Sequence, residues 1–118
     1  MPQINASAEN YLETILVIKN TKGSVRAIDI AQELAFSKPS VSIALKHLKE
    51  SGHINVDTDG SITLTESGHQ IAGKIYDRHI TLTKFLTSLG VSKATAEQDA
   101  CKIEHIISNE TFESIKSH

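Results

Sequence analysis

A cysteine, a glutamate and a histidine stand close together near the end of the chain, in the run Cys101-x-x-Glu104-His105. On a helix, spacings of three and four residues place side chains on one face. A thiolate, a carboxylate and an imidazole would be costly to bury there unless a positive charge lay between them, and a divalent cation provides that charge. The run therefore predicts a metal-binding edge. The alternative is a half-buried helix with a small apolar Cys and two solvated neighbours.

Two other places in the sequence could supply ligand atoms. Asn10 and Glu13 share one face of a predicted helix and offer oxygen donors, although an exposed polar pair is the simpler interpretation. His79 falls in the apolar stripe of another predicted helix. It could be a ligand there, or a histidine bonded to a carbonyl at the edge of the core. The residues alone leave these alternatives open.

Size and composition favour a small globular protein of one compact unit or two lobes. The chain has 118 residues, 39% of them apolar, and a single cysteine, which excludes an internal disulfide. It has no apolar run of about 18 residues that could span a membrane, and its start lacks the basic and apolar regions of a signal peptide. We expect a cytoplasmic protein without membrane contact.

The formal net charge of −2 neither favours nor excludes a nucleic-acid partner. Such a partner would require a local positive surface, and its affinity would depend on salt and on a dimer that doubles the contacts.

Helical periodicity and end signals predict three helices in the first half of the chain. The first covers residues 7–22 and stops at a glycine, and the second covers about 26–34. The third covers residues 37–52, with Ser37 as its N-cap and Pro39 tolerated in its first turn.

The period then changes from helical to two, which predicts a β-hairpin. Residues 54–56 and 62–64 alternate apolar and polar side chains around an Asp59-Gly60 turn. Two short helices followed by a hairpin form a winged helix-turn-helix, whose second helix can enter a DNA major groove. In that case the expected phosphate-binding residues are Arg26, Lys38, Lys46 and Lys49, each of which could instead be an ordinary solvated charge.

The second half of the chain predicts three further helices. A long fourth helix is capped by Thr65 and carries an apolar stripe up to Leu89, before Gly90. Ser92 opens a fifth helix, and a short sixth helix begins at about residue 109. The fifth helix is expected to carry one polar stripe that includes Glu97, Cys101, Glu104 and His105.

Five segments of the chain match one known family in order: AENYLETI at 8–15, SKPSVS at 37–42, LTESG at 64–68, DRH at 77–79 and ACKIEH at 100–105. Together they resemble the diphtheria-toxin-repressor and manganese-transport-regulator family of metal-dependent transcriptional repressors. The resemblance implies a mainly α fold. An N-terminal winged helix-turn-helix DNA-binding domain would cover residues 1–70, and a helical metal-binding and dimerisation domain would cover 71–118, in the two-domain form without an SH3-like domain.

The resemblance also implies a homodimer that binds double-stranded operator DNA when a divalent metal is loaded. The implied metal ligands are Asn10, Glu13, His79, Cys101, Glu104 and His105, with Glu97 where some members have a second-site ligand. The recognition-helix residues that would meet base edges and thymine methyl groups are Ser37, Pro39, Ser40 and Ser42.

The identity of the metal depends on Cys101. A thiolate is a soft ligand and Mn²⁺ is the weakest binder of its series, so Cys101 favours Fe²⁺, with Co²⁺, Ni²⁺ or Zn²⁺ able to substitute in vitro. Oxygen donors from Asn10, Glu13 and Glu104 keep Mn²⁺ as an alternative. We therefore expect an Fe(II)-responsive repressor of metal-homeostasis genes. The alternatives are a manganese-responsive regulator of the same family and a metal-independent winged-helix regulator in which Cys101 is structural.

A metalloenzyme is a further alternative, because Cys-x-x-Glu-His is similar to the His-x-x-Glu-His motif of inverted zinc proteases. Here the first histidine is replaced by Cys101, and the candidate ligands crowd the site without an obvious open position for water. We therefore expect no enzymatic activity and no small organic substrate.

Overall fold

The computed structural model describes residues 5–118, and residues 1–4, on which the expectation about a signal peptide partly rests, lie outside it. Helices dominate the described part of the chain, which has one two-stranded sheet. In chain order the elements are α1 Ala6–Lys22, α2 Ala27–Leu34, α3 Lys38–Glu50, β1 Ile54–Val56, β2 Ile62–Leu64, α4 Glu66–Ser88, α5 Lys93–Ile103 and α6 Asn109–Lys116. A winged helix-turn-helix followed by helices is the predicted fold class, which is confirmed.

The chain divides into two compact units, Met1–Gly73 and Lys74–His118. The division falls inside α4, so this helix begins in the first unit and ends in the second. No helix of the described residues combines the length and apolarity that a membrane crossing requires.

Polar caps fix the ends of the helices in the first unit. The Asn5 side chain accepts a hydrogen bond from the Ala8 N–H at 2.8 Å, which starts α1. Ser37 caps α3 in the same way through the Ser40 N–H, as the sequence predicts. The turn between α2 and α3 is tight because Ala35 adopts a left-handed conformation with φ 57°.

The first unit has its own apolar core, built from the inner faces of three helices and the hairpin. Leu12 and Ile15 of α1, Ile30 of α2, Val41 of α3 and Ile54 of β1 are each at most 1% exposed. Burying these faces leaves the opposite face of α3 in solvent. The core therefore orients the helix that is predicted to read DNA.

The hairpin is antiparallel and is attached to the loop that precedes α2. Ile54 pairs with Leu64, and Val56 pairs with Ile62. The Ile62 N–H donates to the carbonyl of Val25 at 2.8 Å, which ties β2 to that loop. The predicted strands and turn are confirmed.

In the second unit Ile75, Leu82, Ala96, Ala100 and Phe112 are buried. One prediction for α4 is wrong. The sequence places Leu89 in the apolar stripe, but this residue is 65% exposed, because α4 ends at Ser88 and the chain turns through Gly90 at φ 100°.

The end of α5 also differs from the prediction. The helix ends at Ile103, whereas the sequence pattern predicts a helix that continues past His105. The N–H groups of Ile106 and Ile107 both donate to the Ile103 carbonyl, and Ser108 then caps α6. The chain must turn between two closely spaced helices, so Glu104 and His105 lie in a turn. Glu104 itself keeps helical dihedral angles, φ −57° and ψ −26°, and its N–H donates to the Ala100 carbonyl, so Cys101 and Glu104 retain a helical relationship and the pattern changes after Glu104.

Candidate functional site

The turn after α5 and the middle of α4 bring a histidine and a carboxylate together in the second unit. His79 Nδ1 lies 2.8 Å from Glu104 Oε1. Glu104 is completely buried, and the His79 side chain is 24% exposed. A carboxylate is rarely buried to this extent unless it is paired or coordinates a metal. The contact therefore makes Glu104 the centre of the candidate site.

The second oxygen of Glu104 faces another imidazole. His105 Nε2 lies 3.9 Å from Glu104 Oε2, and the His105 side chain is 8% exposed. Among the described residues, no group donates a hydrogen bond to Glu104 Oε2, although this atom is buried. Two imidazoles around a buried carboxylate whose second oxygen accepts no hydrogen bond form a donor set that suits a divalent cation. The residues present thus fit the metal that the sequence predicts.

Two other predicted ligands of the second unit lie on the exposed surface of α5. Cys101 and Glu97 are both exposed, whereas Glu104 is fully buried. The structure thus groups His79, Glu104 and His105, and it does not bury Cys101 with them. The roles of Cys101 and Glu97 as ligands stay predictions.

The two predicted ligands of the first unit lie on α1, and they differ in exposure. Glu13 is 7% exposed, so the interpretation of the pair as exposed polar residues is wrong for this carboxylate. Asn10 is half-buried. A buried glutamate among the apolar side chains of α1 requires a compensating partner. The participation of either residue in a metal site stays a prediction.

Sequence reasoning missed Arg78, which contacts the same turn that carries Glu104. Its Nη1 donates to the main-chain carbonyl of Glu104 at 3.1 Å. Arg78 stands in the DRH segment that supports the family resemblance, next to His79. That position is the signal that the sequence offers, but a pairing with a carbonyl 26 residues away cannot be read from spacing.

The exposed face of α3 carries the predicted nucleic-acid contacts. Seven of the residues predicted to contact DNA are exposed there: Ser37, Lys38, Pro39, Ser40, Ser42, Lys46 and Lys49. The hydroxyl of Ser37 donates to that of Ser40 at 2.9 Å, so the first turn presents linked small polar groups. Ile43 is 60% exposed on the same helix and is not among the predicted contacts. This face combines basic, small polar and apolar groups, as DNA reading requires.

Arg26, the remaining predicted phosphate binder, faces a carboxylate at the tip of the hairpin. Arg26 Nη2 lies 3.8 Å from Asp59 Oδ2, and both side chains are more than half exposed. Hydrogen bonds from the N–H and hydroxyl of Ser61 lower the pKa of Asp59, with a smaller contribution from Arg26. Asp59 therefore stays ionised at neutral pH and would compete with a phosphate for Arg26 if Arg26 binds DNA.

Two family models match successive parts of the chain. Residues 3–62 match the model described as "Iron dependent repressor, N-terminal DNA binding domain". Residues 65–118 match the model described as "Iron dependent repressor, metal binding and dimerisation domain". The two matches follow one another in the order that the resemblance predicts.

Curated relatives span nearly the whole chain. An uncharacterized HTH-type transcriptional regulator of Methanocaldococcus jannaschii is 37% identical over 115 residues, which cover 96% of this chain and 92% of the relative. The transcriptional regulator MntR of Escherichia coli O157:H7 is 33% identical over 108 residues, covering 92% of this chain and 70% of the relative. Both relatives are named as transcriptional regulators.

Solved structures share the fold. A manganese-dependent transcriptional repressor in complex with manganese superimposes with a TM-score of 0.86 at 27% identity, covering 93% of this chain and 51% of that chain. IdeR of T. acidophilum gives a TM-score of 0.82 at 24% identity, covering 99% of this chain and 55% of that chain. This chain thus spans about half the length of these two solved relatives.

Proposed function

This chain belongs to the iron-dependent repressor family of metal-dependent transcriptional regulators, and we propose that it is a homodimeric repressor that binds operator DNA when a divalent metal is loaded. The observation that carries the proposal is the fully buried Glu104 carboxylate between two imidazoles. A bound divalent cation would supply a positive charge at the centre of this group of donors.

The proposed ligands start from the three side chains that the second unit brings together, His79, Glu104 and His105. Asn10 and Glu13 of α1 are proposed as additional ligands, and the burial of Glu13 supports its inclusion. Glu97 is proposed as a ligand of a second, weaker site only.

The preferred metal depends on whether Cys101 is a ligand. With a thiolate in the set, the site favours Fe²⁺ over Mn²⁺, and with nitrogen and oxygen donors only it accommodates Mn²⁺. We propose Fe²⁺ as the physiological metal. Mn²⁺ is the second candidate, favoured by the exposure of Cys101 and by a solved relative that is named as a manganese-dependent transcriptional repressor.

On the DNA side, the exposed face of α3 is proposed to enter the major groove. Its small first-turn residues would approach base edges, while its lysines would bind phosphates. Two copies of α3 in a dimer must be separated by about one helical turn of DNA to reach two half-sites. Metal loading would fix α1, which packs on the same core as α3, and would thereby fix that separation.

DNA-binding measurements across a metal panel test this proposal. The probe is a labelled duplex selected from a random pool by the Mn²⁺-loaded protein, and binding is followed by fluorescence anisotropy with EDTA, Fe²⁺, Mn²⁺, Co²⁺ or Zn²⁺. We expect EDTA to abolish specific binding and added metal to restore it. Specific binding that is identical in EDTA and in every metal would contradict the proposal.

The same assay on Cys101→Ser separates the two candidate metals. If Cys101 is a ligand, this change should weaken activation by Fe²⁺ more than activation by Mn²⁺, because a hydroxyl is a harder donor than a thiolate. Equal responses of the parent and the variant to both metals would favour Mn²⁺ and exclude the thiolate. Glu110→Gln, an exposed acid of α6, is the matched control and should behave like the parent.

A further inference from the structure

Arg78 is a buried arginine whose contacts converge on the turn after α5. It is 8% exposed, and its Nη1 donates to the carbonyls of Glu104 at 3.1 Å and Ile107 at 2.8 Å. These two carbonyls bound the turn that presents the Glu104 carboxylate and the His105 ring. One guanidinium nitrogen thus binds the main chain of Glu104 itself and that of Ile107, on either side of His105.

The contact with Glu104 is favourable because this residue is the C-cap of α5, and the last carbonyls of a helix lack partners within the helix. A positive charge there also interacts well with the negative end of the helix dipole. The guanidinium carbon lies 5.3 Å from the centroid of the Phe112 ring, which supports its other face. Among the described residues, no carboxylate lies within ion-pair distance of Arg78. Its contacts are therefore with the main-chain carbonyls of the turn and with the Phe112 ring, and they fix the position of the guanidinium relative to the turn.

Three consecutive residues of α4 bind three different groups of the second unit. Asp77 accepts from the Lys116 ammonium at 2.8 Å, Arg78 holds the main chain of the turn, and His79 contacts the Glu104 side chain. The turn is therefore held by α4 at its backbone and at its carboxylate. Removing the backbone contact would leave Glu104 held by α4 only through its side chain.

We propose that Arg78 is a positioning residue that holds the turn after α5 in the conformation in which Glu104 and His105 bind metal. This inference rests on the proposed function, since it assumes that the cluster binds a cation. Arg78 itself would not touch the ion. Its role is to order the ligands beforehand, so that metal binding does not have to organise the turn.

Lysine cannot replace arginine in this role, although it keeps the charge. The guanidinium is planar and lies over Phe112, whereas an ammonium is a compact, strongly hydrated point charge on a flexible stem. Arg78→Lys should therefore keep the fold and lose the defined geometry. This substitution therefore separates the effect of the geometry of Arg78 from the effect of its positive charge.

The test is a titration of the metal-free protein with Co²⁺, followed by visible absorption, on the parent and on Arg78→Lys. We expect the variant to bind Co²⁺ about 10–100-fold more weakly, the usual effect of removing a group that orients a metal ligand. Its absorption bands should also change, because the ligands are no longer held in one arrangement. Arg78→Met should show the same effects more strongly.

Lys116→Met provides the matched control. Lys116 is the other cation over Phe112, 5.7 Å from the centroid, and its ammonium donates to Asp77 of α4 and not to the carbonyls of the turn. The variant should bind Co²⁺ like the parent. If Arg78→Lys only lowers the melting temperature and its folded form keeps the parent's Co²⁺ affinity and spectrum, the positioning role is wrong while the proposed function stands. If the parent itself does not bind Co²⁺, both are wrong.

Discussion

At the scale of single residues, Glu104 determines what the second unit can do. Its carboxylate is fully buried with an imidazole at each oxygen, and one oxygen lacks a hydrogen-bond donor among the described residues. From the cost of burying an incompletely satisfied carboxylate, we expect such a group to lower the stability of the metal-free protein and to become favourable when a cation is bound. We therefore expect the carboxylate of Glu104 to favour metal binding and to lower the stability of the metal-free protein.

Glu104→Gln should separate these two effects. The neutral amide is a much poorer ligand, so metal affinity should fall by more than about 100-fold, beyond the usual effect of changing groups that merely surround a ligand. The metal-free variant should be as stable as the parent or more stable, because a buried charge has been removed. Calorimetric titration with Mn²⁺ and thermal unfolding in EDTA measure the two quantities. A large drop in metal-free stability with unchanged metal affinity would assign Glu104 a structural role.

At the scale of elements, the start of α4 depends on a close backbone approach. Thr65 Oγ1 accepts from the Gly68 N–H at 3.2 Å and donates to the Gly52 carbonyl at 2.7 Å. A Cβ at Gly68 would lie 2.0 Å from the carbonyl oxygen of His53. Only glycine allows α4 to begin against the turn between α3 and the hairpin.

Gly68→Ala is therefore expected to destabilise the protein by at least about 1–3 kcal/mol, the usual cost of overpacking. Gly73 provides the matched control on the same helix, because a Cβ there has no described atom within 4 Å. Gly73→Ala should stabilise the protein by about 0.5–1 kcal/mol, since alanine favours a helix over glycine. Urea unfolding of both variants measures the difference. Equal effects of the two substitutions would show that the close approach at Gly68 is unimportant.

The elements also show how far sequence reasoning reaches. Periodicity and caps predict all the helices and the hairpin, because Ser37, Ser92 and the alternating residues of the hairpin are local signals. The end of α5 is not predicted by local signals, and the contacts observed there join residues that are distant in sequence. Arg78 bonds to the carbonyls of Glu104 and Ile107 there, 26 and 29 residues away.

The residue types of the candidate site can be predicted from the sequence, but the positions of their side chains relative to one another can be predicted only in part. The spacing of Cys101, Glu104 and His105 predicts a set of neighbouring donors, but the structure buries Glu104 completely and exposes Cys101. His79 can be selected from the sequence only through the family resemblance. Its 2.8 Å contact with Glu104 depends on tertiary packing that no local pattern encodes.

At the scale of the whole molecule, the chain is a nearly neutral protein that is proposed to bind a polyanion. The net charge is −2, so phosphate contacts must come from a local group of lysines on α3. Binding should therefore weaken steeply with salt, in proportion to the number of lysine–phosphate pairs in the dimer.

Lys49→Ala tests one of these pairs. It should lower affinity for specific and random duplexes alike. It should also reduce the slope of log K against log salt by about 0.9 for each phosphate that is no longer neutralised, thus by about twice that in a dimer. Lys93→Ala, on the exposed surface of α5, should leave the slope unchanged. Anisotropy titrations at several KCl concentrations measure both slopes. An unchanged slope for Lys49→Ala would remove Lys49 from the interface.

Metal binding and DNA binding are proposed to be coupled in this protein, and thermodynamic linkage between the two affinities tests this coupling most directly. If metal raises DNA affinity by some factor, DNA must raise metal affinity by the same factor, typically about 5–150-fold for coupled sites. The measurement is the Kd for Mn²⁺, with and without a saturating amount of the duplex selected by the metal-loaded protein. We expect the duplex to tighten Mn²⁺ binding by the factor by which Mn²⁺ tightens DNA binding. An Mn²⁺ affinity that is the same with and without the duplex would contradict the account.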